Sequence, residues 1–259
     1  MASNEKSSSM FSYKDDGAAT AYENAKTIAT DIHALGFNVD FAPVADAWSN
    51  PDNTVIGTRA YSDDFAQAAE LIPSAVQGFH DGSIICSLKH FPGHGSTTED
   101  SHSGMAYVYR SEQQLAEEEL LPFQAGIDAG ADMVMIGHLF VPSLDEERPA
   151  SLSYPIVTGL LREKLGFRGV IITDNLRMGA LNNYNEAEKA VMALQAGCDI
   201  LLGLTDMDGV LEGLQDAIDR GVLPQSRIDE SVMRILSLKL TYGIEQPAST
   251  QRRAARNSA

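Results

Sequence analysis

Cysteine is scarce in this sequence, two residues in 259, at positions 86 and 198. Each sits in an apolar, strand-like run, so buried reduced thiols are expected rather than a disulfide framework. Positive charge is scarce too: 19 Lys and Arg stand against 36 Asp and Glu, a formal net charge of -17. A surface of that sign repels phosphate backbones and anionic lipid, which argues against nucleic-acid and anionic-membrane partners. Long hydrophobic runs are missing, so no membrane-spanning segment is expected. Residues 1–10 are polar and Ser-rich, with no apolar signal core in the chain as given, and the compartment stays open. What is present is a core: 44% of residues are hydrophobic, in a length that suits one α/β domain or two small ones.

The apolar residues fall into alternating helical and strand-like stretches. Ala25, Ile28, Ile32 and Leu35 keep the spacing of one buried helical face, which Gly36 ends. Residues 38–45 read as a strand. Ser62 is a candidate cap for the next helix, whose Phe65, Ala69, Ile72, Val76 and Phe79 keep the same spacing, with Pro73 expected to kink it. Further strands are expected near 86, 135, 171 and 201. Ser111 and Gln114 resemble a capping box that opens one helix running to about 128. More helices are expected from 156 to 166, from 185 to 197, over 207–220 and over 227–242. Leu-Gly or Ala-Gly recurs between helix and strand, at 35–36, 129–130, 165–166 and 196–197. That is the αβ loop of a repeating unit with a parallel sheet.

One stretch carries the chemistry: Lys89-His90-Phe91-Pro92-Gly93-His94-Gly95, followed by Asp100-Ser101-His102. It is expected on a loop just past the strand 84–88. Polar residues also follow the other strands, at Asp46, His138 and Asp174. Polar groups gathered at the C-terminal ends of parallel strands favour a (β/α)8 barrel with its site at that mouth. Five clear strands are too few for eight.

Asp174, at the end of Val170-Ile171-Ile172-Thr173, suits a nucleophile, a metal ligand or a helix cap. Asp100 and His102, two apart, point the same way in an extended loop. The carboxylate can hold one imidazole nitrogen and leave the other to move a proton, or the pair is simply a solvated loop. Arg59 and Lys89 are donors for a ligand's oxygens or members of surface ion pairs. His90, His94, His102 and His138 are a weak metal set: Pro92 and Gly93 break a helical spacing, and no cysteine is near. Neither metal nor cofactor is expected.

The stretch at 89–95 with Asp-Ser-His at 100–102 strongly resembles glycoside hydrolase family 3, in its β-N-acetylhexosaminidase branch. Val39-Asp40-Phe41-Ala42-Pro43-Val44, Ile56-Gly57-Thr58-Arg59-Ala60-Tyr61 and Ile171-Ile172-Thr173-Asp174-Asn175-Leu176-Arg177-Met178 match in order, so the similarity runs from about 20 to 243. The resemblance implies a barrel that removes terminal β-linked N-acetylglucosamine with retention. Asp174 would be the nucleophile, His102 the acid/base, and Asp100 its orienting partner. Arg59, Lys89 and His90 would hold sugar hydroxyls.

The family's first two strands, with an acidic loop that grips the sugar's non-reducing end, would precede residue 20. Residues 1–16 are too short and too polar to supply them. The expectation is therefore a polar segment 1–16, a partial (β/α)8 catalytic domain at 17–245 lacking about two N-terminal strands, and a disordered tail at 246–259. The carbohydrate is the expected partner. Self-association through the missing strands, phosphorolysis or β-glucosidase action on the same site, and a non-catalytic truncated member are the alternatives.

Overall fold

The computed structural model describes residues 9–98 and 104–244. In these residues the strands are β1 (Val39–Asp40), β2 (Ile85–Phe91), β3 (Ala106–Tyr107), β4 (Met133–Ile136), β5 (Leu139–Phe140), β6 (Val170–Asn175) and β7 (Ile200–Leu202). Five of them form one parallel sheet in the order β1-β2-β4-β6-β7. These are the five strands expected from the sequence, ranked in sequence order as a half-barrel. The short β3–β5 pair, also parallel, lies apart.

The helices are α1 (Ala18–Ala34), α2 (Phe65–Asp81), α3 (Glu112–Glu117), α4 (Leu120–Asp128), α5 (Glu186–Ala196), α6 (Met207–Asp219) and α7 (Gln225–Thr241), with a π-helical segment at Pro155–Lys164. None of the helices among the described residues is long and apolar enough to cross a membrane.

Period-two alternation divides the sheet between two cores. Cys86, Leu88, Val134, Ile136 and Ile171 face the large core under the helices. Ile85, Met133, Met135, Val170 and Ile172 face the other side, where Ile235, Leu238 and Tyr242 pack on them. Cys86 and Cys198 are both buried and free.

Several local expectations change in the fold. The first strand narrows to Val39–Asp40, because Pro43 has no N–H for the ladder. The segment nonetheless stays beside β2: the Ser87 N–H donates to Ala42 O at 2.8 Å and the Ala45 N–H to Lys89 O at 2.8 Å. The fully buried stripe of α1 is Ala21, Ala25 and Ala29, while Ile28 and Ile32 are only partly covered. Leu35 projects off the helix end, 76% exposed. Small residues are needed there because α2 crosses closely: a Cβ on Gly78 would strike Ala25, and one on Gly82 would strike Ala29.

The cap of α2 is Asp64, which accepts from the Gln67 N–H at 2.8 Å, and Ser62 supports it by accepting from the Asp64 N–H. Pro73 lies inside α2, which continues past it to Asp81. The capping box at Ser111 and Gln114 forms, yet the helix it opens ends at Glu117. Arg110 pairs with Glu118 and with buried Glu119 at that break, and α4 starts afresh at Leu120. Gly36, Gly130, Gly166 and Gly197, after four of the helices, all have φ between 74 and 120 degrees, the left-handed turn expected of them.

Asp132 and Asp199 follow the recurrent Ala-Gly at 129–130 and 196–197 and do the same local work. Each accepts from a backbone N–H of the neighbouring strand in the sheet, Cys86 at 3.0 Å and Ile171 at 2.9 Å. Asp199 also gathers Arg162, Arg227, Arg234 and the Ser231 hydroxyl.

Candidate active site

The C-terminal ends of the strands carry the residues singled out in the sequence. Lys89 and His90 belong to the last residues of β2 rather than to the loop after it, because β2 runs on to Phe91. Asp174 likewise lies within β6. With Arg59, at the end of the short turn Gly57–Arg59, they line one cavity of about 220 Å³. Phe41, His94, Met135 and Leu202 contribute to its walls. Four of the six predicted site residues are thus brought together. The other two, Asp100 and His102, lie outside the described residues.

A buried aspartate underlies this cavity. Asp46, 2% exposed, is delivered by the segment after β1. Its Oδ2 accepts from the His90 N–H at 2.9 Å and from His90 Nδ1 at 2.8 Å, and its Oδ1 accepts from the His94 N–H at 2.7 Å. Burial pushes the Asp46 carboxyl up. The charge and hydrogen bond of His90, with His94, outweigh that, and its pKa lies below the ordinary carboxylate value. A carboxylate only accepts, so His90 carries a proton on Nδ1 and its ring orientation is fixed. In the sequence Asp46 stands out only as one polar strand end. Its place after Val44-Ala45 at a strand exit was the available signal.

The loop that follows β2 is clamped by two asparagines. Asn53 Nδ2 donates to His94 O at 2.8 Å, and its Oδ1 accepts from the Ile56 N–H at 2.8 Å. Asn50 Nδ2 donates to Thr97 O at 3.2 Å. Gly95 lies so close to the backbone of Ala47 that a Cβ would collide with the Ala47 carbonyl. The loop bearing Arg59 and the loop bearing His94 are therefore one unit.

Arg59 is exposed, with Nε and Nη2 both donating to Val55 O, at 3.1 and 2.7 Å. Lys89 is half-buried, and burial, then the charge of Arg59, pulls its pKa down against Asp40, Asp174 and Asp46. Asp174 Oδ1 accepts from the Asn175 N–H at 2.7 Å. His138 belongs to the support: Nδ1 meets Ser151 Oγ at 2.7 Å and Nε2 meets Asn175 O at 2.9 Å. It thus ties the exit of β4 to that of β6, and it does not line the cavity. A second cavity of about 340 Å³ adjoins the first, sharing Phe41, Arg59 and Lys89 and adding Asp40 and Tyr61.

The arrangement offers a carboxylate, two cations and an oriented imidazole around a small polar space. A hydroxyl-rich ligand would find donors on one side and a nucleophilic oxygen on the other.

Comparison with known proteins places the chain in a family. Residues 7–238 match the model of the glycosyl hydrolase family 3 N-terminal domain. The chain is 34% identical over 249 residues to β-hexosaminidase A of Pseudoalteromonas piscicida, covering 88% of this chain and 42% of that protein. It is 42% identical over 183 residues to a β-hexosaminidase of Xylella fastidiosa strain M23, covering 70% and 54%. A solved family 3 β-N-acetylglucosaminidase from Paenibacillus superposes with a TM-score of 0.87 at 39% identity, over 93% of this chain and 47% of that one. The chain belongs to glycosyl hydrolase family 3. It spans about half the length of the relatives it matches.

Proposed function

We propose that this chain carries the catalytic site of a retaining exo-β-N-acetylglucosaminidase that releases terminal N-acetylglucosamine from cell-wall or chitin-type fragments. The observation that supports it most is the meeting of Asp174 with Arg59, Lys89 and His90 in one cavity at the C-terminal mouth of the sheet. At about 220 Å³ it suits a single small polar ring better than a drug-sized ligand, whose pockets span roughly 300–1,000 Å³. The names of the similar proteins support the sugar class.

In this reading Asp174 attacks the anomeric carbon and forms a glycosyl ester. His102, oriented by Asp100, gives its proton to the departing oxygen. Water, deprotonated by the same imidazole, then releases the sugar with its configuration retained. Lys89, Arg59 and the His90 ring hold hydroxyls while charge develops on the ring. The five strands are read as a partial (β/α)8 barrel at 17–245, short of about two N-terminal strands. Further strands, from the same polypeptide or from a second copy, would add at the edge strands β1 and β7.

The test is hydrolysis of a chromogenic β-N-acetylglucosaminide. Asp174→Ala should lower the rate on the order of 10³-fold or more. Equal activity in that variant would remove Asp174 from the nucleophile's role. Asp100→Asn should cost most with poor leaving groups, which need the proton, and least with activated aryl glycosides. Product analysis in added phosphate should show free sugar and no sugar 1-phosphate. Light scattering reads whether copies associate.

A further inference from the structure

The opposite, N-terminal end of the sheet holds a second cluster. His80 comes from the last turn of α2, Cys86 from the start of β2, and Asp132 from the residue just before β4. One ligand atom from each lies within 4.8 Å of the other two, and no other such trio of His, Cys, Asp or Glu occurs among the described residues. His80 Nε2 is 3.1 Å from Asp132 Oδ2 and 3.8 Å from Cys86 Sγ.

Those two spacings lie within a few tenths of an ångström of a metal's demands. Tetrahedral zinc with ordinary bond lengths needs about 3.4 Å between nitrogen and oxygen ligands and about 3.6 Å between nitrogen and sulfur. One nitrogen, one sulfur and one oxygen donor suit zinc and do not suit magnesium or calcium, which take oxygen. The ligands have outer support as well. The Tyr242 hydroxyl donates to Asp132 Oδ2 at 2.8 Å and the Cys86 N–H donates to the same atom at 3.0 Å, which fixes the carboxylate. Solvent reaches the cluster: the His80 and Asp132 side chains are 25% and 11% exposed. Asp132 also lines a cavity of about 440 Å³ with Gly169, Met233 and Leu238.

We propose that His80, Cys86 and Asp132 form a zinc-binding site, separate from the candidate sugar cavity, with water in the fourth position. Binding puts the His80 proton on Nδ1 and frees Nε2 as a lone pair. The Cys86 thiol proton passes to solvent, and the sulfur binds as thiolate. Because binding releases a thiol proton, zinc binds more tightly as pH rises. The ion ties the end of α2 to β2 and β4 and, through Tyr242, to the end of α7.

Cobalt(II) is the probe, added to the full chain after chelator treatment, with zinc as competitor. The expected result is one cobalt per chain, a thiolate-to-cobalt charge-transfer band that zinc abolishes, and a higher Tm with zinc. Cys86→Ser should remove the band and weaken zinc binding by about 10-fold or more. His80→Gln, at a partly exposed position, should weaken it similarly and serves alone if the serine variant does not fold. Asp174→Asn should change neither reading. No bound cobalt, cobalt bound without the sulfur band, a band that survives Cys86→Ser, or zinc affinity unchanged in His80→Gln would each overturn the proposal.

Discussion

Asp46 and Asp199 lie at opposite ends of the same sheet, both buried, and they keep different company. Asp46, past β1, accepts from two backbone N–H groups and an imidazole. Asp199, before β7, holds Arg162, Arg227 and Arg234 together with a hydroxyl and a backbone N–H. At each, burial raises the carboxyl's pKa and the partners bring it below the ordinary value, chiefly His90 at one end and Arg162 at the other. The consequences differ because a guanidinium is a fixed cation with no acceptor, whereas an imidazole that gives one nitrogen to the carboxylate keeps a second one. The end with arginines is a fixed staple. The end with histidines holds a ring whose other nitrogen is available to a ligand. Burial of a carboxylate does not by itself mark a functional site; the kind of partner does.

The comparison can be broken most decisively at Asp199. Asp199→Ala leaves the buried Arg162 guanidinium without its counter-charge and should cost about 3–5 kcal/mol in denaturant unfolding. Its effect on activity should follow only from the loss of folded protein. Asp46→Asn should do the reverse. Misplacing His90 and His94 should lower kcat/KM about 100-fold. The loss of charge-assisted hydrogen bonds should cost only about 1–3 kcal/mol. If the Asn variant unfolds as readily as Asp199→Ala but keeps its activity per folded molecule, the distinction between the two ends is wrong.

Acid sharpens the same contrast. Both carboxyls have lower pKa values folded than unfolded, so each contributes stability that is complete above the unfolded value, about pH 4. That contribution is lost as pH falls through the folded value, where the native state must take up the proton. Unfolding measured across this range should steepen below about pH 4. The pH dependence should flatten in Asp199→Asn and in Asp46→Asn alike, because this is charge linkage and not catalysis.

Gly95→Ala tests the mouth without touching a charge. Its Cβ meets the Ala47 backbone, so the His94 loop must shift, at about 1–3 kcal/mol and with weaker sugar binding, read as a raised KM. The smallest effect is at Asn185, which caps α5 in a capping box with Glu188. Asn185→Ala should lower stability by about 1 kcal/mol and leave KM unchanged.

The sheet was legible because its signals are local. Alternating apolar runs near 40, 86, 135, 171 and 201 and glycines after the helices mark each β/α unit within a few residues of chain. Breaks set by side-chain partners were not legible. The split between α3 and α4 goes with ion pairs of Arg110 to Glu118 and Glu119, and the alanine face of α1 with glycines of α2. Periodicity alone assigned Leu35 to a core that the helix never presents it to.

The candidate site divides in the same way. From the sequence came its residue types and their place at the C-terminal ends of strands, since period and punctuation fix where each strand stops. Only the tertiary structure brought Arg59, Lys89, His90 and Asp174 to one cavity, set Asp46 beneath His90, and placed His80, Cys86 and Asp132 within ligand distance of one another at the other end. Those meetings depend on which strands are neighbours and in what register. Packing of the whole sheet decides that, and no stretch of sequence contains it.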